Sequence, residues 1–208
     1  MKSCIDYYDI CLGFGSNIGN TESNLLKAIN AVKDGISDIA VNSISSAYLS
    51  SPVGNTNQPY FLNCAVLFRL DMSVLAAKPE RQFLIETYDF FGRRLLLALK
   101  DIEKNMGRKN ESGRYMPRVI DIDILFIYDN ASKKFITLDL PELKLPHAEI
   151  FNRKFVLYPL LDLSDYIKKP FDKESIKKAL AKLENSDAGT SQKISYYGKF
   201  DENYSLRS

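Results

Sequence analysis

The sequence predicts an α+β protein in which helices pack on one face of an antiparallel sheet. Several segments alternate apolar and polar residues, as half-buried strands do, and two others carry apolar residues at helical spacing. Their order is strand, helix, strand, strand, helix, strand, which makes two βαβ-like halves. These observations indicate a ferredoxin-like sandwich. Because that fold carries many unrelated functions, the function has to be argued from the site.

Length and composition indicate one globular domain. The chain has 208 residues, of which 45% are apolar and 26% are charged, which is enough for one sizeable core. We expect a single domain over residues 1–185, with an insertion near 71–82, and a polar, loosely ordered tail over 186–208. The net charge of +2 is too small to argue for a nucleic-acid or membrane partner. Since the chain has no apolar run of membrane-spanning length and no signal peptide, we expect a cytoplasmic protein.

The three cysteines do not suggest a disulfide framework or a zinc site. Cys4, Cys11 and Cys64 are odd in number, and no two of them have C-x-x-C spacing. We expect buried thiols.

A glycine-rich turn joins the first strand to the first helix. The apolar run Tyr8–Leu12 leads into Gly13, Gly15 and Gly19. The third glycine comes one residue late for the dinucleotide-binding pattern G-x-G-x-x-G, so that interpretation is not favoured. A helix with Thr21 as its expected N-cap follows, and its apolar stripe belongs to the core.

An aromatic residue and an amide stand together where the third strand begins. A strand over residues 39–49 and a polar loop over 50–63 lead to this strand, which runs from Phe61 to Leu70. Phe61 and Asn63 are two residues apart, so they face the same side. An aromatic plate beside an amide suits a flat heterocycle with donors and acceptors on its edge. An aromatic in the core and an amide in a turn fit the sequence equally well.

The secondary structure of residues 71–105 can be predicted only toward the end of that segment. Residues 71–82 have no clear pattern, and Phe83–Tyr88 has the pattern of a strand. A second helix is predicted from about Phe90 to Asn105. Near the end of this helix, Glu103 is either a surface residue or part of a phosphate-binding region.

Two aspartates on one predicted strand are the strongest indication of a chemical site. From Val119 the residues alternate, so Asp121 and Asp123 share one face of a strand. Their α-carbons are expected roughly 6.5–7 Å apart, which lets two carboxylates meet one cation or flank a pair. Hard oxygen ligands of this kind suit Mg²⁺, which keeps places for water and phosphate oxygens.

Cations precede this strand in a loop with turn-forming residues. They are Arg108, Lys109, Arg114 and Arg118. Guanidinium groups bind phosphate oxygens two at a time, and mobile cationic loops often close over phosphates. With the aspartates, these cations indicate a polyphosphate substrate. The alternative is a solvated sheet face whose charges are neutralised by nearby arginines.

The remaining chain holds the only histidine. His147 is either a structural hydrogen-bonding residue or, together with Arg153, a phosphate ligand. Before it, Lys133–Leu140 suggests a short hairpin partner for the aspartate strand. After it, Phe155–Leu157 is expected to continue into a strand or to lie under it, and a last amphipathic helix is predicted at Lys173–Leu183.

Four segments taken together resemble one protein family. They are L-G-F-G-S-N-I-G at 12–19, S-P-V-G-N-T-N-Q-P-Y-F-L-N-C-A-V at 51–66, I-E-K-N-M-G-R-K and R-Y-M-P-R-V-I-D-I-D-I-L between 102 and 125, and L-P-H-A-E-I-F-N-R-K-F-V-L-Y-P-L at 145–160. In order, spacing and content they are similar to the 6-hydroxymethyl-7,8-dihydropterin pyrophosphokinases of folate biosynthesis. The resemblance extends over about residues 8–165.

The resemblance implies that the β,γ-pyrophosphoryl group of ATP is transferred to the hydroxymethyl oxygen of the pterin, with release of AMP. It implies that Asp121 and Asp123 hold two Mg²⁺ ions and act in catalysis with Arg108 and Arg118. The residues implied to contact the pterin are Pro52, Val53, Gly54, Phe61, Asn63 and Phe155. Those implied to contact ATP are Glu103, Arg114, Arg118, Ile124, His147 and Arg153. It also leaves room for association or fusion with a neighbouring folate-pathway enzyme.

Some positions depart from the family pattern, and other functions therefore stay open. The departures are Asn110, Tyr115 and Met116 in the cationic loop and Ala148 after the histidine. One alternative is a catalytically weak relative that binds pterin or nucleotide as a regulatory module. A second is an RNA-binding ferredoxin-like domain, which should show exposed aromatics on its central strands and a broadly basic face. A third is a kinase that transfers only the γ-phosphoryl group.

Overall fold

A computed structural model of the chain describes residues 7–72, 87–108, 116–201 and 206–207. The strands are β1 (Tyr7–Ser16), β2 (Ile39–Ile44), β3 (Ala47–Ser50), β4 (Phe61–Asp71), β5 (Asp121–Asp129), β6 (Lys134–Phe135), β7 (Leu138–Asp139), β8 (Lys144–Leu145), β9 (Ile194–Phe200) and β10 (Leu206–Arg207). The helices are α1 (Thr21–Gly35), α2 (Tyr88–Asn105), α3 (Lys154–Asp162), α4 (Lys173–Glu184) and α5 (Asp187–Thr190), with a 3-10 turn at Ile150–Asn152.

The main sheet has the strand order of a ferredoxin-like sandwich. Its order is β10, β9, β3, β4, β1, β5, β6, and β2 also pairs with β4. Every pairing in it is antiparallel. β2 and β3 pair with successive parts of β4, and β1 pairs with both β4 and β5. Strands of the two βαβ-like halves therefore alternate in the sheet, with β1 and β4 at the centre. The predicted α+β class is confirmed.

Helices cover both faces of this sheet. On one face, α1 and α2 pack against alternate residues of β1, including Ile10, Leu12 and Phe14. On the other face, α3 and α4 cover a second cluster that includes Leu67 and Phe126. The sequence analysis placed helices on one face only, which describes α1 and α2. The second layer comes from α3 and α4, whose apolar side chains are buried against the sheet at about 1.5–3 kcal/mol for each large aliphatic residue.

The N-cap of helix α1 lies one residue earlier than expected. The Asn20 side chain accepts a hydrogen bond from the Ser23 N–H at 2.9 Å, so Asn20 is the N-cap and Thr21 is the first helical residue. Leu25, Ile29 and Val32 then form its buried stripe. The last predicted helix is confirmed as α4, which ends one residue later than expected.

The predicted strand over residues 39–49 is divided in two at a serine pair. The Ser45 backbone N–H donates to the Ala65 carbonyl at 2.9 Å, and the Ser45 hydroxyl accepts from the Ala65 N–H at 2.9 Å. The Ser46 N–H donates to the Asp162 carboxylate at 2.8 Å. Since a side chain replaces one ladder partner, the strand bends there and β2 and β3 follow β4 separately.

The structure resolves one open assignment and corrects two others. Residues 155–157, expected either to continue into a strand or to lie under it, belong to helix α3, whose buried apolar face packs on the sheet. Residues 194–200, placed by the sequence in a loosely ordered tail, form β9, which pairs with β3. Tyr88, predicted to end a strand, begins α2.

Several predicted features lie wholly or largely outside the described residues. These are the insertion from residue 73 onward, residues 83–86 of the predicted strand, and residues 109–115 of the cationic loop. Among the described helices, none is both long and apolar enough to cross a membrane. Cys11 and Cys64 are buried free thiols, as predicted.

Candidate active site

A cavity of about 570 Å³ opens on the sheet face that α3 and α4 cover. Residues of β1, β4 and β5 line it together with residues of helix α3. The predicted site residues that line it are Val53, Phe61, Asn63, Arg118, Asp121, Asp123, His147, Arg153 and Phe155. The sheet therefore brings together residues that are up to about a hundred positions apart in the chain.

Two glycines of β1 form part of the cavity floor. Gly15 pairs with Asn63 of β4 on one side and with Asp121 of β5 on the other. A Cβ atom on Gly15 would lie 3.2 Å from Asn63 Oδ1, and one on Gly13 would lie 3.4 Å from the Leu125 side chain. The absence of side chains here leaves the backbone open to a ligand. The first two glycines of the glycine-rich segment thus form part of the cavity floor.

The amide of Asn63 is fixed with its oxygen toward Gly15. Its Nδ2 donates to the Ser50 hydroxyl at 3.0 Å, to the Phe61 carbonyl at 3.1 Å and to the Tyr48 carbonyl at 3.2 Å. Within the described residues Oδ1 accepts no hydrogen bond from a side chain or backbone group. Since the donor side of the amide is satisfied, Oδ1 is available to accept from the edge of a ligand.

Two aromatic side chains lie along the same cavity. Phe61 is at the start of β4, and Phe155 is in the first turn of α3. Val53, which is 44% exposed, adds an apolar contact from the loop after β3. With Asn63, these side chains make a surface that is apolar on its faces and polar at its edge, as a flat heterocycle requires.

The two aspartates of β5 stand in different surroundings. Asp121 pairs with Arg108 at 2.8 Å through Oδ1 and with Arg118 at 2.5 Å through Oδ2. Among the described residues, Asp123 forms no hydrogen bond or salt bridge. Burial raises the pKa of the Asp123 carboxyl, and the nearby Asp121 raises it further, whereas His147 and Arg153 oppose this shift. The charged form of Asp123 is therefore less favoured than that of a free aspartate, and a bound cation would favour it.

Glu103 is buried behind the aspartate pair. Its side chain is 1% exposed, and its Oε1 accepts from the Ile122 N–H at 2.7 Å. Oε2 pairs with Lys100 at 3.0 Å and also with Arg108. Burial raises the pKa of Glu103 although these partners oppose the shift. Glu103 thus links the end of α2, strand β5 and the arginine that pairs with Asp121.

Cationic and imidazole groups lie at the same end of the cavity as the aspartates. His147 accepts from the Glu149 N–H at Nδ1, so in its neutral form the ring proton is on Nε2. The guanidinium carbon of Arg153 lies 5.7 Å from the centre of the Phe155 ring. Arg153 is thus between the aspartates and the aromatic side chains. Arg118, three residues before Asp121 in the chain, forms a salt bridge with it.

The structure does not bring every predicted site residue into the cavity. Pro52 and Gly54 flank Val53 without lining it, and Arg108 contacts Asp121 from behind. The side chain of Ile124 is 3% exposed and packs in the core of the opposite face, as β-strand alternation demands. Glu103 is likewise outside the cavity lining. Arg114 lies outside the described residues.

Asn17 is a site residue that the sequence analysis missed. Its Oδ1 accepts from the Arg118 N–H at 2.7 Å, and its Nδ2 donates to Gln58 Oε1 at 3.0 Å and to the Pro59 carbonyl at 3.1 Å. The side chain therefore connects the end of β1 with the polar loop before β4 and with the arginine before β5. Its only sequence signal was its place in the glycine-rich turn. Gln192, which also lines the cavity, gave no signal.

The donor set fits a hard divalent cation only in combination with a ligand. No group of three or more His, Cys, Asp and Glu side chains that could hold a metal occurs among the described residues. Two carboxylates on one strand face, one of them partly exposed and without a hydrogen bond from a described residue, suit Mg²⁺ that takes its other ligands from water and phosphate. Asp121 and Asp123 would hold such an ion.

Fold and site together define a class of protein, a small α+β protein with one cavity that carries carboxylates and cations beside an aromatic and amide surface. A family model described as 7,8-dihydro-6-hydroxymethylpterin-pyrophosphokinase (HPPK) matches residues 11–165. The chain belongs to this family.

Similar proteins agree with this family. One is the 2-amino-4-hydroxy-6-hydroxymethyldihydropteridine pyrophosphokinase of Aquifex aeolicus, which is 33% identical over 168 residues, or 81% of this chain and 88% of that protein. Another is a folate synthesis bifunctional protein of Arabidopsis thaliana, which is 38% identical over 157 residues. That match covers 76% of this chain but only 27% of the Arabidopsis protein, so the chain spans about a quarter of its length.

A solved structure shares the fold. The HPPK-DHPS of Plasmodium falciparum, crystallised with pterin and p-hydrobenzoate, superposes with a TM-score of 0.56. The superposition covers 99% of this chain and 50% of the Plasmodium chain, at 13% sequence identity. At this identity the likeness supports the fold alone.

Proposed function

We propose that this chain transfers the β,γ-pyrophosphoryl group of ATP to the hydroxymethyl oxygen of 6-hydroxymethyl-7,8-dihydropterin and releases AMP. One observation carries the proposal. A single cavity is lined at one end by the carboxylates of Asp121 and Asp123 and at the other by the aromatic and amide groups of Phe61, Phe155 and Asn63. The first end suits a polyphosphate with a divalent cation, and the second suits a pterin ring.

The pterin ring lies between the two phenylalanines. Stacking on Phe61 and Phe155 buries its two faces, and Asn63 Oδ1 accepts a hydrogen bond from its edge. The backbone at Pro52, Val53 and Gly54 reads the remaining donors and acceptors. Because Asn63 is already held by three acceptors, little side-chain entropy is lost on binding.

The triphosphate lies at the carboxylate end. Arg118, His147 and Arg153 line that end and bind phosphate oxygens there, as charge-assisted hydrogen bonds to guanidinium groups favour. Arg108 acts both on Asp121 and on the transferring group, and Glu103 orients Arg108. A role for Arg114 in ATP binding and one for Ile124 beside the nucleoside stay predictions, the latter through its backbone since its side chain faces the core.

Asp121 and Asp123 are the proposed ligands of two Mg²⁺ ions. When bound, these ions neutralise charge on the phosphates and hold the reacting groups in line. The protein groups orient both substrates so that the hydroxymethyl oxygen forms a bond to the β-phosphorus while the bond to the α-phosphate oxygen breaks. The pyrophosphoryl group moves and AMP leaves with that oxygen. No strong protein base is required, because positioning and charge stabilisation supply most of the acceleration.

The experiment that tests this function is product analysis. The purified chain is incubated with ATP, Mg²⁺ and the reduced hydroxymethylpterin, in parallel with an Asp121→Ala variant and with samples lacking pterin. We expect AMP that depends on pterin and is lost in the variant. ADP in place of AMP would overturn pyrophosphoryl transfer in favour of γ-phosphoryl transfer. Pterin binding without either product would indicate a binding module.

The partner proposal rests on the relatives. One is a folate synthesis bifunctional protein, and another is a bifunctional protein FolKE of Lactococcus lactis, of which this chain matches 42%. We infer that the chain acts beside a second folate-pathway enzyme, as a fusion or as a complex. A cytoplasmic location remains a prediction from the sequence.

A further inference from the structure

Residues 191–193 reach the cavity from a part of the chain beyond the family match, which ends at residue 165. Gln192 is half-buried and lines the cavity alongside Val53 and Phe155. It is therefore next to the end that we assign to the pterin. The proposed function above gives it no role.

Gln192 caps helix α3 from outside that helix. Its Oε1 accepts from the Lys154 N–H at 2.8 Å, and its Nε2 donates to the Asn152 carbonyl at 3.0 Å. The local N-cap residue, Arg153, makes no side-chain capping hydrogen bond. Because the first N–H groups of a helix need an acceptor, Gln192 supplies what Arg153 does not. The residue after Lys154 is Phe155, so this contact fixes the start of the turn that carries one aromatic wall.

The residues on either side of Gln192 hold the loop after β3. The Ser51 N–H donates to the Lys193 carbonyl at 2.9 Å, and the Lys193 N–H donates to the Ser51 hydroxyl at 3.0 Å. The Ser51 hydroxyl also lies 3.4 Å from the Ser191 carbonyl. Ser51 directly precedes the loop of Val53. Residues 191–193 thus join the two elements that face each other across the pterin end.

The position of residues 191–193 is itself fixed on both sides. After them, β9 continues the main sheet, with Ile194 opposite Ser50 of β3. Before them, α5 packs tightly on the end of α4, where a Cβ atom on Gly189 would lie 1.9 Å from the Leu183 carbonyl oxygen. A segment fixed at both ends can define the separation of the elements that it joins.

We propose that Gln192 is a positioning residue for the heterocyclic substrate, which sets the distance between the Val53 loop and Phe155. This inference rests on the proposed function, since it assigns the ligand at that end. Gln192 acts through the elements it connects and takes no part in the transfer. Losing it widens or loosens the pterin end, whereas at the carboxylate end only Arg153, which lies between Asn152 and Lys154, adjoins the lost bonds.

The test compares three variants of the full chain. Gln192→Ala removes both hydrogen bonds. Gln192→Glu keeps an oxygen for the Lys154 N–H but loses the donor to Asn152. Ser195→Ala changes an exposed side chain on strand β9, which follows Gln192, and serves as the matched control. Calorimetry measures the reduced hydroxymethylpterin in the presence of a non-hydrolysable ATP analogue, and the analogue alone in a separate titration.

The expected result is a selective loss of pterin affinity. Gln192→Ala should raise the dissociation constant of the pterin about 10-fold, Gln192→Glu about 3-fold, and Ser195→Ala less than about 2-fold. The dissociation constant of the ATP analogue should change less than that of the pterin, by under about 3-fold in all three, since Arg153 alone at that end adjoins the lost bonds. The rise in KM for the pterin should exceed any fall in kcat.

Two results would overturn the inference while the proposed function stands. One is an active parent enzyme with a Gln192→Ala variant that binds pterin normally. The other is an equal loss of affinity for both ligands with a lower thermal midpoint, which would make Gln192 a purely structural residue. If the unmodified chain forms no AMP and binds no pterin, the proposed function itself fails, and that outcome is separate from both.

Discussion

The three central strands end in two polar clusters that differ in how fully their hydrogen-bonding groups are used. At one end, Asp9 accepts from Arg69 at 3.1 Å and from Asn130 at 2.8 Å. Beside it, Asp129 accepts from the Tyr88 hydroxyl at 2.8 Å and from two backbone N–H groups of the following turn. We call this the closed end. Its charged groups have their partners within the protein.

At the cavity end of the same strands, some polar side chains lack hydrogen-bonding partners among the described residues. Asp123 has no hydrogen bond or salt bridge within the described residues, and the Asn63 oxygen faces the Gly15 backbone. Asp123 is partly exposed, so its carboxylate is left to water or to a ligand. On strand β5, Asp129 has its partners within the protein and Asp123 does not, although both are aspartates, whereas Asp121 at the cavity end pairs with two arginines.

The largest effect expected from this comparison is on activity at the cavity end. Asp123→Asn removes a metal-binding oxygen and its charge, and should lower kcat by about 10³-fold. The raised pKa of Asp123 means that the fold disfavours its charged form relative to the unfolded chain, and an amide carries no such charge. The free energy of unfolding of the metal-free protein near pH 7 should therefore rise by about 1 kcal/mol. Steady-state rates and denaturant titrations measure both, and loss of stability together with activity would contradict the comparison.

A smaller effect, on stability alone, is expected at the closed end. Asp129→Ala removes the acceptor of three donors and should lower the free energy of unfolding by about 2 kcal/mol. The rate of AMP formation should stay within about 2-fold of the parent enzyme, since no described contact joins Asp129 to the cavity. Denaturant titration and product assays on the same preparation test this. A variant of normal stability and reduced activity would reverse the roles of the two ends.

The dependence of stability on pH offers a second measurement on the same variant. Burial acts to raise the pKa of Asp129, but hydrogen bonds from Tyr88, Ser132 and Ala131 outweigh it and hold the pKa below its usual range. An acid with a lowered pKa stabilises the fold above its unfolded pKa, and this is lost as the pH falls through the folded value. The parent chain should lose this contribution below about pH 4. In Asp129→Ala that part of the acid dependence should be absent.

The smallest effect expected concerns the cavity floor. Gly15→Ala places a methyl group 3.2 Å from the Asn63 oxygen, and should raise the KM for pterin about 10-fold with little change in kcat. Gly13→Ala, where the new methyl group meets only the Leu125 side chain at 3.4 Å, is the matched control. Equal KM values for the two variants would show that Asn63 does not read the substrate.

Local pattern was enough to predict the groups that line one strand face. Alternation placed Asp121 with Asp123 and Phe61 with Asn63, because a strand has a fixed period of two. The same rule shows why the side chain of Ile124 faces the core. Glu103 was ambiguous because a charged residue on an amphipathic helix is buried only when specific partners surround it.

The periodicity of the sequence could not predict contacts between distant segments. The bonds of Asn17 to Gln58 and Arg118, and those of Gln192 to Lys154, join positions that no periodicity relates. The assignment of residues 155–157 in helix α3 stayed open because a short apolar run suits a buried strand as well as a buried helix. Strand β9 gains its place from pairing with β3, which only the folded chain supplies.

The bonds of Asn17 have a thermodynamic consequence. One side chain ties the loop of Gln58, on the pterin side, to the backbone of Arg118, on the phosphate side. A ligand that shifts either segment changes the free energy of binding at the other. Linkage then requires reciprocity, so whatever factor ATP applies to the affinity for pterin, pterin applies to the affinity for ATP. Asn17 would set the size of that shared factor without touching the transferred group.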